Sequence, residues 1–397
     1  MTGRAGPTPA PRGMRRRAAL EDLIRPGSTV ALSDGAGMPT SILPRLSAAA
    51  RAAGDVHLLL GWCLGSLDGL DTSAFKSVRT FLGGYGARGR VERGEVRQLP
   101  VRLGAVPALL AHLRPDVLVT SFGRRGRAAH FTTEVSWLRA AAAAGAVLAG
   151  IERPALPVAD AGPSLPEESL WVVDADASPP VAVEWGEPGD VDRLIGERVA
   201  ALVPAGARLQ FGPGSIGRAV LEALEVPVVV DSGILSDGVV ALAQRGLLLP
   251  HPMAAYLAGS DVLYEWARGQ RLLHGVETTH DVSRLARATA FVSVNTALEV
   301  DLDGQVNVES VGGAAIASAG GHPDFSFAAT SSPGGLSVVA LRSSAAGCST
   351  LVERLSAPVS TPAHDVDVIV TEHGHVDLRG KDRRERRAAI RSLWKEG

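Results

Sequence analysis

The run Gly212-Pro213-Gly214-Ser215-Ile216-Gly217 sits between a strand pattern at 207–211 and a helical pattern at 218–224. A glycine-rich turn in that place presents backbone amides and a helix N-terminus to an anion or a carbonyl oxygen. Close packing of strand on helix also favours glycine, so a structural reading stands beside the chemical one. Glu299 and Asp301 alternate within Leu298-Glu299-Val300-Asp301-Leu302 and share one face of an extended segment, where carboxylates are more often paired or solvated than reactive. Cys63, in Gly61-Trp62-Cys63-Leu64-Gly65, could be a thiolate nucleophile or a small buried hydrophobe. His251, His274, His280, His322, His364, His373 and His375 lack the two-histidine helical spacing of zinc hydrolases, and no cysteine pair supports them. No metal is expected; His373 and His375 alternate on an extended stretch and are expected to hydrogen-bond their neighbours.

The elements that must position these groups follow an α/β rhythm, in which short β-branched runs end in glycine-rich turns and lead into alanine- and leucine-rich helices. Strands are expected at 29–32, 56–60, 117–120, 146–148 and 171–173 in the first half. In the second they are expected at 207–211, 226–230, 262–264, 291–295, 338–341 and 368–371. Helices are expected at 43–53, 107–113, 136–144, 191–202 and 218–224, with a basic one at the C-terminus. Pro179-Pro180 and Gly186-Glu187-Pro188-Gly189 interrupt regular structure, which puts a domain boundary near residue 185. The organisation is therefore a disordered basic tail at 1–18, an N-terminal α/β domain at 19–185 and a C-terminal α/β domain at 186–397.

Composition narrows the function classes. The 397 residues carry 40 Lys+Arg against 42 Asp+Glu, a formal charge of −2, which gives no reason to expect nucleic acid or an anionic membrane as partner. With 46% hydrophobic and 21% charged residues the chain can bury a sizeable core. The most apolar stretch, 140–151, is too short to span a bilayer. Two cysteines cannot form a disulfide framework, so a reducing cytoplasm is the expected location.

Four stretches carry a family resemblance. They are Leu209-Gln210-Phe211-Gly212-Pro213-Gly214; Val294-Asn295-Thr296-Ala297-Leu298-Glu299-Val300-Asp301 with Gly304-Gln305-Val306-Asn307; Gly320-Gly321-His322-Pro323-Asp324-Phe325; and Val370-Thr371-Glu372-His373-Gly374 leading to Asp377-Leu378-Arg379-Gly380-Lys381. Gly35-Ala36-Gly37-Met38-Pro39 and Phe81-Leu82-Gly83-Gly84 agree more loosely. In order and spacing the set resembles the acetyl-CoA hydrolase/transferase family, cytoplasmic enzymes that move CoA between acyl groups. The resemblance implies two related open α/β domains of the CoA-transferase type with the active site between them. It implies coenzyme A or an acyl-CoA as substrate, no permanently bound cofactor, a small carboxylate or other acyl acceptor as partner, and a second copy of the chain as a candidate partner. Gly212, Gly214, Gly217, Gly320 and Gly321 become the expected backbone contacts to thioester and pantetheine, because amide donors stabilise a developing oxyanion and glycine permits close approach. Asn295 joins them, and Glu372, after a strand whose end should meet the cleft, has a positioning role. The basic run Arg379, Lys381, Arg383, Arg384, Arg386, Arg387 and Arg391 is a solvated helix face or a contact for the CoA 3′-phosphate.

The sequence departs from the family at one decisive place. Members carry a catalytic glutamate in a segment reading His-Thr-Glu, two residues, then Ser-Asp-Gly. Here the segment is Asp231-Ser232-Gly233-Ile234-Leu235-Ser236-Asp237-Gly238, and the Ser-Asp-Gly end sets Gly233 at the glutamate position. Glycine cannot form the acyl anhydride and glutamyl-CoA thioester of that covalent route. Asp231 replaces the histidine; if the strand continues, Asp231 and Gly233 share a face about 6.6 Å apart. Asp231 could then be a displaced nucleophile or a base for water, or simply an Asx-turn cap. The expectation is an acyl-CoA-processing enzyme with a non-glutamyl mechanism. The alternatives are changed chemistry on a CoA-bound acid, such as decarboxylation or cyclisation, and a non-catalytic CoA-thioester-binding protein.

Overall fold

The computed structural model describes residues 16–394. Most of the expected basic tail lies outside the described residues. Within the remainder, Arg17 forms a parallel bridge to Val172, and the Arg16 guanidinium lies 4.0 Å above the Trp171 ring. Residues 16–18 thus lengthen a sheet edge instead of trailing away.

The first half is built on an eight-stranded sheet. Seven strands run parallel in the order Arg97–Gln98, Ser77–Thr80, His57–Leu60, Thr29–Leu32, Val117–Arg125, Val147–Glu152 and Leu170–Ala175, and Ala128–His130 pairs antiparallel with Val117–Arg125. The central strands read as unbroken apolar runs because both faces are covered, as parallel sheets require. The helices Leu43–Ala53, Val106–Leu113 and Leu138–Ala143 supply that cover.

The second half repeats the plan with Val229–Val230, Arg208–Phe211, Phe291–Thr296, Leu336–Ala340 and Val368–Thr371 in parallel, closed by the antiparallel strand Gly374–Asp377. The expected strand at 262–264 is instead part of the helix Asp261–Ala267. Ser260 caps it by accepting from the Val262 amide, and Asp237 holds Ser260 through its hydroxyl at 2.8 Å. Leu263 and Tyr264 are buried while Val262 faces solvent, so a β-branched triplet was overridden by capping and by a one-sided helical face.

The two halves share a hydrophobic core that runs from Ala31, Leu59 and Trp137 to Leu209, Val292 and Val338. Residues 254–276 of the second half lie along 133–160 of the first: Val135 N–H donates to Ala255 O at 3.0 Å, Leu257 N–H to Thr133 O at 2.7 Å, Asp160 N–H to Gln270 O at 2.7 Å, and Val276 N–H to Ser136 O at 2.8 Å.

Two buried carboxyl groups that sequence reasoning missed lie beneath this seam. Asp34 accepts from the Trp62 amide (2.9 Å), the Trp137 indole (2.9 Å) and the Tyr256 hydroxyl (2.8 Å). Glu134 accepts from the Gly37 amide (3.0 Å) and the Thr133 hydroxyl (2.6 Å), and burial pushes its pKa up from 4.5 to about 8. Side chains at Gly35 and Gly37 would strike Glu134, with added methyl groups 2.8 and 2.6 Å from its oxygens, so that glycine motif serves close packing. The folded state keeps a proton on Glu134 that the unfolded chain releases at lower pH. The stability this confers is complete below about pH 4.5 and is lost as pH rises through about 8. Glu134→Gln, neutral throughout, is expected to flatten that decline in urea unfolding between pH 5 and 9. An unchanged slope would refute the assignment.

Candidate active site

The carboxyl ends of both parallel sheets point toward one cavity of about 310 Å³, where open α/β sheets place their ligands. The first half contributes Trp62, Leu82, Gly84, Tyr85 and Leu103. From the second come the strand-end turn at Gly212, the loop at Gly233, Asn295, and the segment from Ala317 to His322. Trp62 is packed among Tyr85, Trp185 and Tyr256, with centroid separations of 5.5, 6.1 and 5.2 Å, forming a rigid aromatic wall. A second cavity of about 660 Å³ shares Phe211, Gly212, Pro213 and Ile234 with the first, so the two are contiguous along the glycine turn.

The Gly320-Gly321 loop is fixed from across the seam. Leu103 N–H donates to the Gly320 carbonyl at 2.9 Å, Gly83 N–H to the Ser318 hydroxyl at 2.6 Å, and Asp324, fully buried, accepts from Gly104 N–H at 2.8 Å with Arg102 3.2 Å away. Gly320 adopts φ +57°, which glycine takes without strain. Both glycines precede the helix His322–Ser331, whose positive dipole end therefore faces the cavity. Asn295 and Gln210 exchange reciprocal amide hydrogen bonds of 3.1 Å on the cavity floor.

The expected glycine contacts divide. Gly212, Gly320 and Gly321 line the cavity, and Gly214 (φ +112°) lines its neighbour. The Gly212 amide is already given to Val294 O at 2.8 Å, so this residue offers the absence of a side chain and no free donor. Gly217 is absent from both linings. A methyl group there would come within 2.0 Å of the Gly212 carbonyl, so its glycine lets helix Ser215–Ala223 close on the turn.

Asp231 does not face the space beside Gly233, and that expectation is corrected. It is buried, with one oxygen 2.7 Å from Arg284 Nη1, the other 2.8 Å from Arg284 Nη2, and Arg208 3.5 Å away. The strand ends at Val230, so the two-residue alternation that would align Asp231 with Gly233 is lost. Glu372 likewise lies off the cavity lining; it accepts from the Ser343 amide (2.9 Å) and hydroxyl (2.6 Å). Burial acts to raise its pKa, but these hydrogen bonds prevail and hold it below the ordinary value.

Several other candidates have partners that give them structural roles. Glu299 binds Asn307 and Ser356, and Asp301 binds the amides of Asp303 and Gln305. Cys63 is buried and its thiol pKa is pushed far up by desolvation, which removes the thiolate reading. In the basic run, Arg379 pairs with Asp377, Arg387 with Asp303, and Arg386 binds the Val366 carbonyl. No cluster of three metal-ligating side chains exists among the described residues, and no described helix is long and apolar enough to cross a membrane.

Two buried imidazoles, His280 and His322, line the cavity, and the Nε2 atom of each lacks a hydrogen-bond partner among the described residues. Sequence reasoning gave these two histidines no role beyond the absence of a zinc-hydrolase spacing. The only available signal was chemical: a histidine directly after Gly320-Gly321 and another at the close of Glu277-Thr278-Thr279.

A family model of the acetyl-CoA hydrolase/transferase C-terminal domain matches residues 259–393. The 4-hydroxybutyrate coenzyme A transferase of Clostridium kluyveri is 34% identical over 220 residues, 51% of each chain. The chain thus spans about half the length of this curated relative. In fold, RipA from Yersinia pestis superposes with a TM-score of 0.87 at 22% identity, covering 96% of this chain and 94% of that one. The 4-hydroxybutyrate CoA-transferase of Porphyromonas gingivalis gives 0.76 at 22% identity with the same coverage. Residues 259–393 thus match the C-terminal domain of the acetyl-CoA hydrolase/transferase family, and the whole chain shares the two-sheet fold of these solved structures.

Proposed function

We propose that this protein binds a CoA thioester in the cavity between its two sheets and processes it by hydrolysis or transfer without a glutamyl-enzyme intermediate. The observation that carries this reading is the cavity itself. It is walled by both halves, fringed by Gly212, Gly320 and Gly321, and has Gly233 where the family resemblance implies the nucleophilic carboxylate. The contiguous second cavity gives a long ligand room to extend along the glycine turn. Asn295, locked to Gln210, supplies a fixed amide to orient the thioester.

The test is binding. A ligand that favours the native state raises the melting temperature by mass action, so CoA and acetyl-CoA are expected to stabilise the protein in a concentration-dependent thermal-shift series. Gly212→Val is the discriminating variant, because a methyl group there meets only backbone at 3.8 Å or beyond and the fold should tolerate it. Its bulk would occupy the ligand's approach path and weaken CoA binding by roughly tenfold or more. Gly321→Val is a poorer probe, since its first carbon would already lie 2.5 Å from His280 and 2.7 Å from Phe325. No response to any CoA species would defeat the proposal.

A further inference from the structure

The position at which the catalytic carboxylate is missing is not chemically empty. A methyl group built on Gly233 would lie 3.5 Å from His280 Nε2, and one built on Gly321 would lie 2.5 Å from the same atom. The nitrogen therefore stands between the loop that lost the carboxylate and the glycine pair at the helix N-terminus. His280 is buried, its ring packs on Phe325 with centroids 4.6 Å apart, and Nε2 has no partner among the described residues. Burying an unsatisfied polar nitrogen is costly, so its persistence beside a cavity points to a ligand or substrate atom that completes it.

The hydrogen-bond chain on the other side of the ring favours one tautomer. His280 Nδ1 lies 2.9 Å from Thr279 Oγ1, and that hydroxyl donates to the Gly275 carbonyl at 3.3 Å. With its hydrogen so directed, the Thr279 oxygen receives Nδ1–H. Nε2 then carries the lone pair, and it is buried at the edge of the cavity that His280 lines. We propose that His280 is a general base of this site, activating water to hydrolyse the bound acyl-CoA thioester in place of the absent glutamyl route. This inference rests on the CoA-thioester reading above.

In the step, a water oxygen bonds to the thioester carbonyl carbon as its proton passes to His280 Nε2, and the carbonyl π pair moves onto oxygen. The oxyanion is held near the Gly320-Gly321 amides at the positive end of helix His322–Ser331. Collapse re-forms the carbonyl and breaks the C–S bond. The proton on Nε2 passes to the CoA sulfur, so a carboxylic acid and free CoA leave and the imidazole is restored. Desolvation keeps the resting imidazole neutral, holding its pKa near 3, with Arg284 adding to the depression. The developing oxyanion beside it supplies the negative charge that raises its basicity during the step. His322, also neutral, is not among the atoms nearest a methyl group built on Gly233, which are those of His280 and Phe325.

The experiment measures thiol release from acetyl-CoA and butyryl-CoA by the full chain, together with CoA affinity, for the wild type, His280→Gln and His280→Asn. Loss of such a base commonly costs roughly 10² to 10⁴-fold in rate, so that loss in kcat is expected with CoA affinity kept within about threefold. Variants that bind CoA and hydrolyse at the wild-type rate overturn the proposal, as does a wild type that binds CoA yet hydrolyses neither thioester. A wild type that fails to bind CoA defeats the functional reading instead. One readout needs no variant: in ¹⁵N-histidine-labelled protein the His280 Nε2 shift should be that of a bare, lone-pair nitrogen. An N–H signature at Nε2 in the free protein overturns the assignment even if both variants fail to fold.

Discussion

Gly233→Glu is expected to confer carboxylate-dependent CoA exchange far above that of the unmodified protein. At this position an added β-carbon makes only ordinary contacts, 3.5 Å to His280 and to Phe325, and the backbone is not in the left-handed region, so a side chain can enter without displacing the loop. A carboxylate there would attack the thioester as the family resemblance implies, giving an acyl anhydride and then a glutamyl-CoA thioester. Well-oriented groups reach effective molarities of about 10⁵ M and above. Even an imperfectly aligned glutamate should therefore raise exchange between an acyl-CoA and labelled acetate by roughly 10²-fold. Intact-mass analysis should detect the CoA adduct on the variant alone. A folded, CoA-binding variant with neither adduct nor exchange would show that Gly233 does not occupy the nucleophile's place.

Asp231→Asn is expected to destabilise the protein by about 3 kcal/mol while leaving thioester turnover unchanged below the melting temperature. The carboxylate is buried and held on two sides by Arg284 and at 3.5 Å by Arg208, so removing its charge leaves two guanidinium groups facing each other without a counter-ion. Arg208 cannot swing away easily, because its guanidinium also binds the carbonyls of Leu285, Arg287 and Thr289. An Asx-turn would have survived the substitution; an ion pair does not. Urea unfolding of the two proteins checks the stability term, and equal midpoints would mean the pair contributes nothing. A hundredfold loss of turnover in folded variant would return Asp231 to the chemistry.

What could be read from the sequence follows the range of the physics involved. Strands such as Thr29–Leu32 and Val368–Thr371 stand where expected, because a parallel strand covered on both faces is written locally as an apolar β-branched run. The turn at Gly212 and the pair at Gly320 and Gly321 were legible as places of close approach, and they do edge the cavity. Gly217 shares that composition but serves helix packing, a distinction that depends on where the Gly212 carbonyl lies. Asp231 could not be assigned because its partner, Arg284, is 53 residues away with no local spacing to announce it. Asp34, Glu134 and His280 were hidden for the same reason: their surroundings are built by residues far along the chain, Tyr256 against Asp34, Gly37 against Glu134, and Gly233 and Phe325 against His280.

The seam between residues 133–160 and 254–276 also governs how a ligand reaches its place. Two lobes joined by a small polar interface swing freely, and a cleft between them can open and shut like a clamshell. Here backbone hydrogen bonds run along the seam, and a shared apolar core continues through it. A hinge would have to tear both, so rigid-body gaping is closed off as an entry route. The slot is preformed, and admission falls to the rim, where Tyr85 is half exposed against Trp62 and Trp185. Such a vestibule selects by shape before any bond is made. On the CoA-thioester reading proposed above, a slender pantetheine arm would thread it, and a bulky acyl group would have to clear the aromatic threshold first.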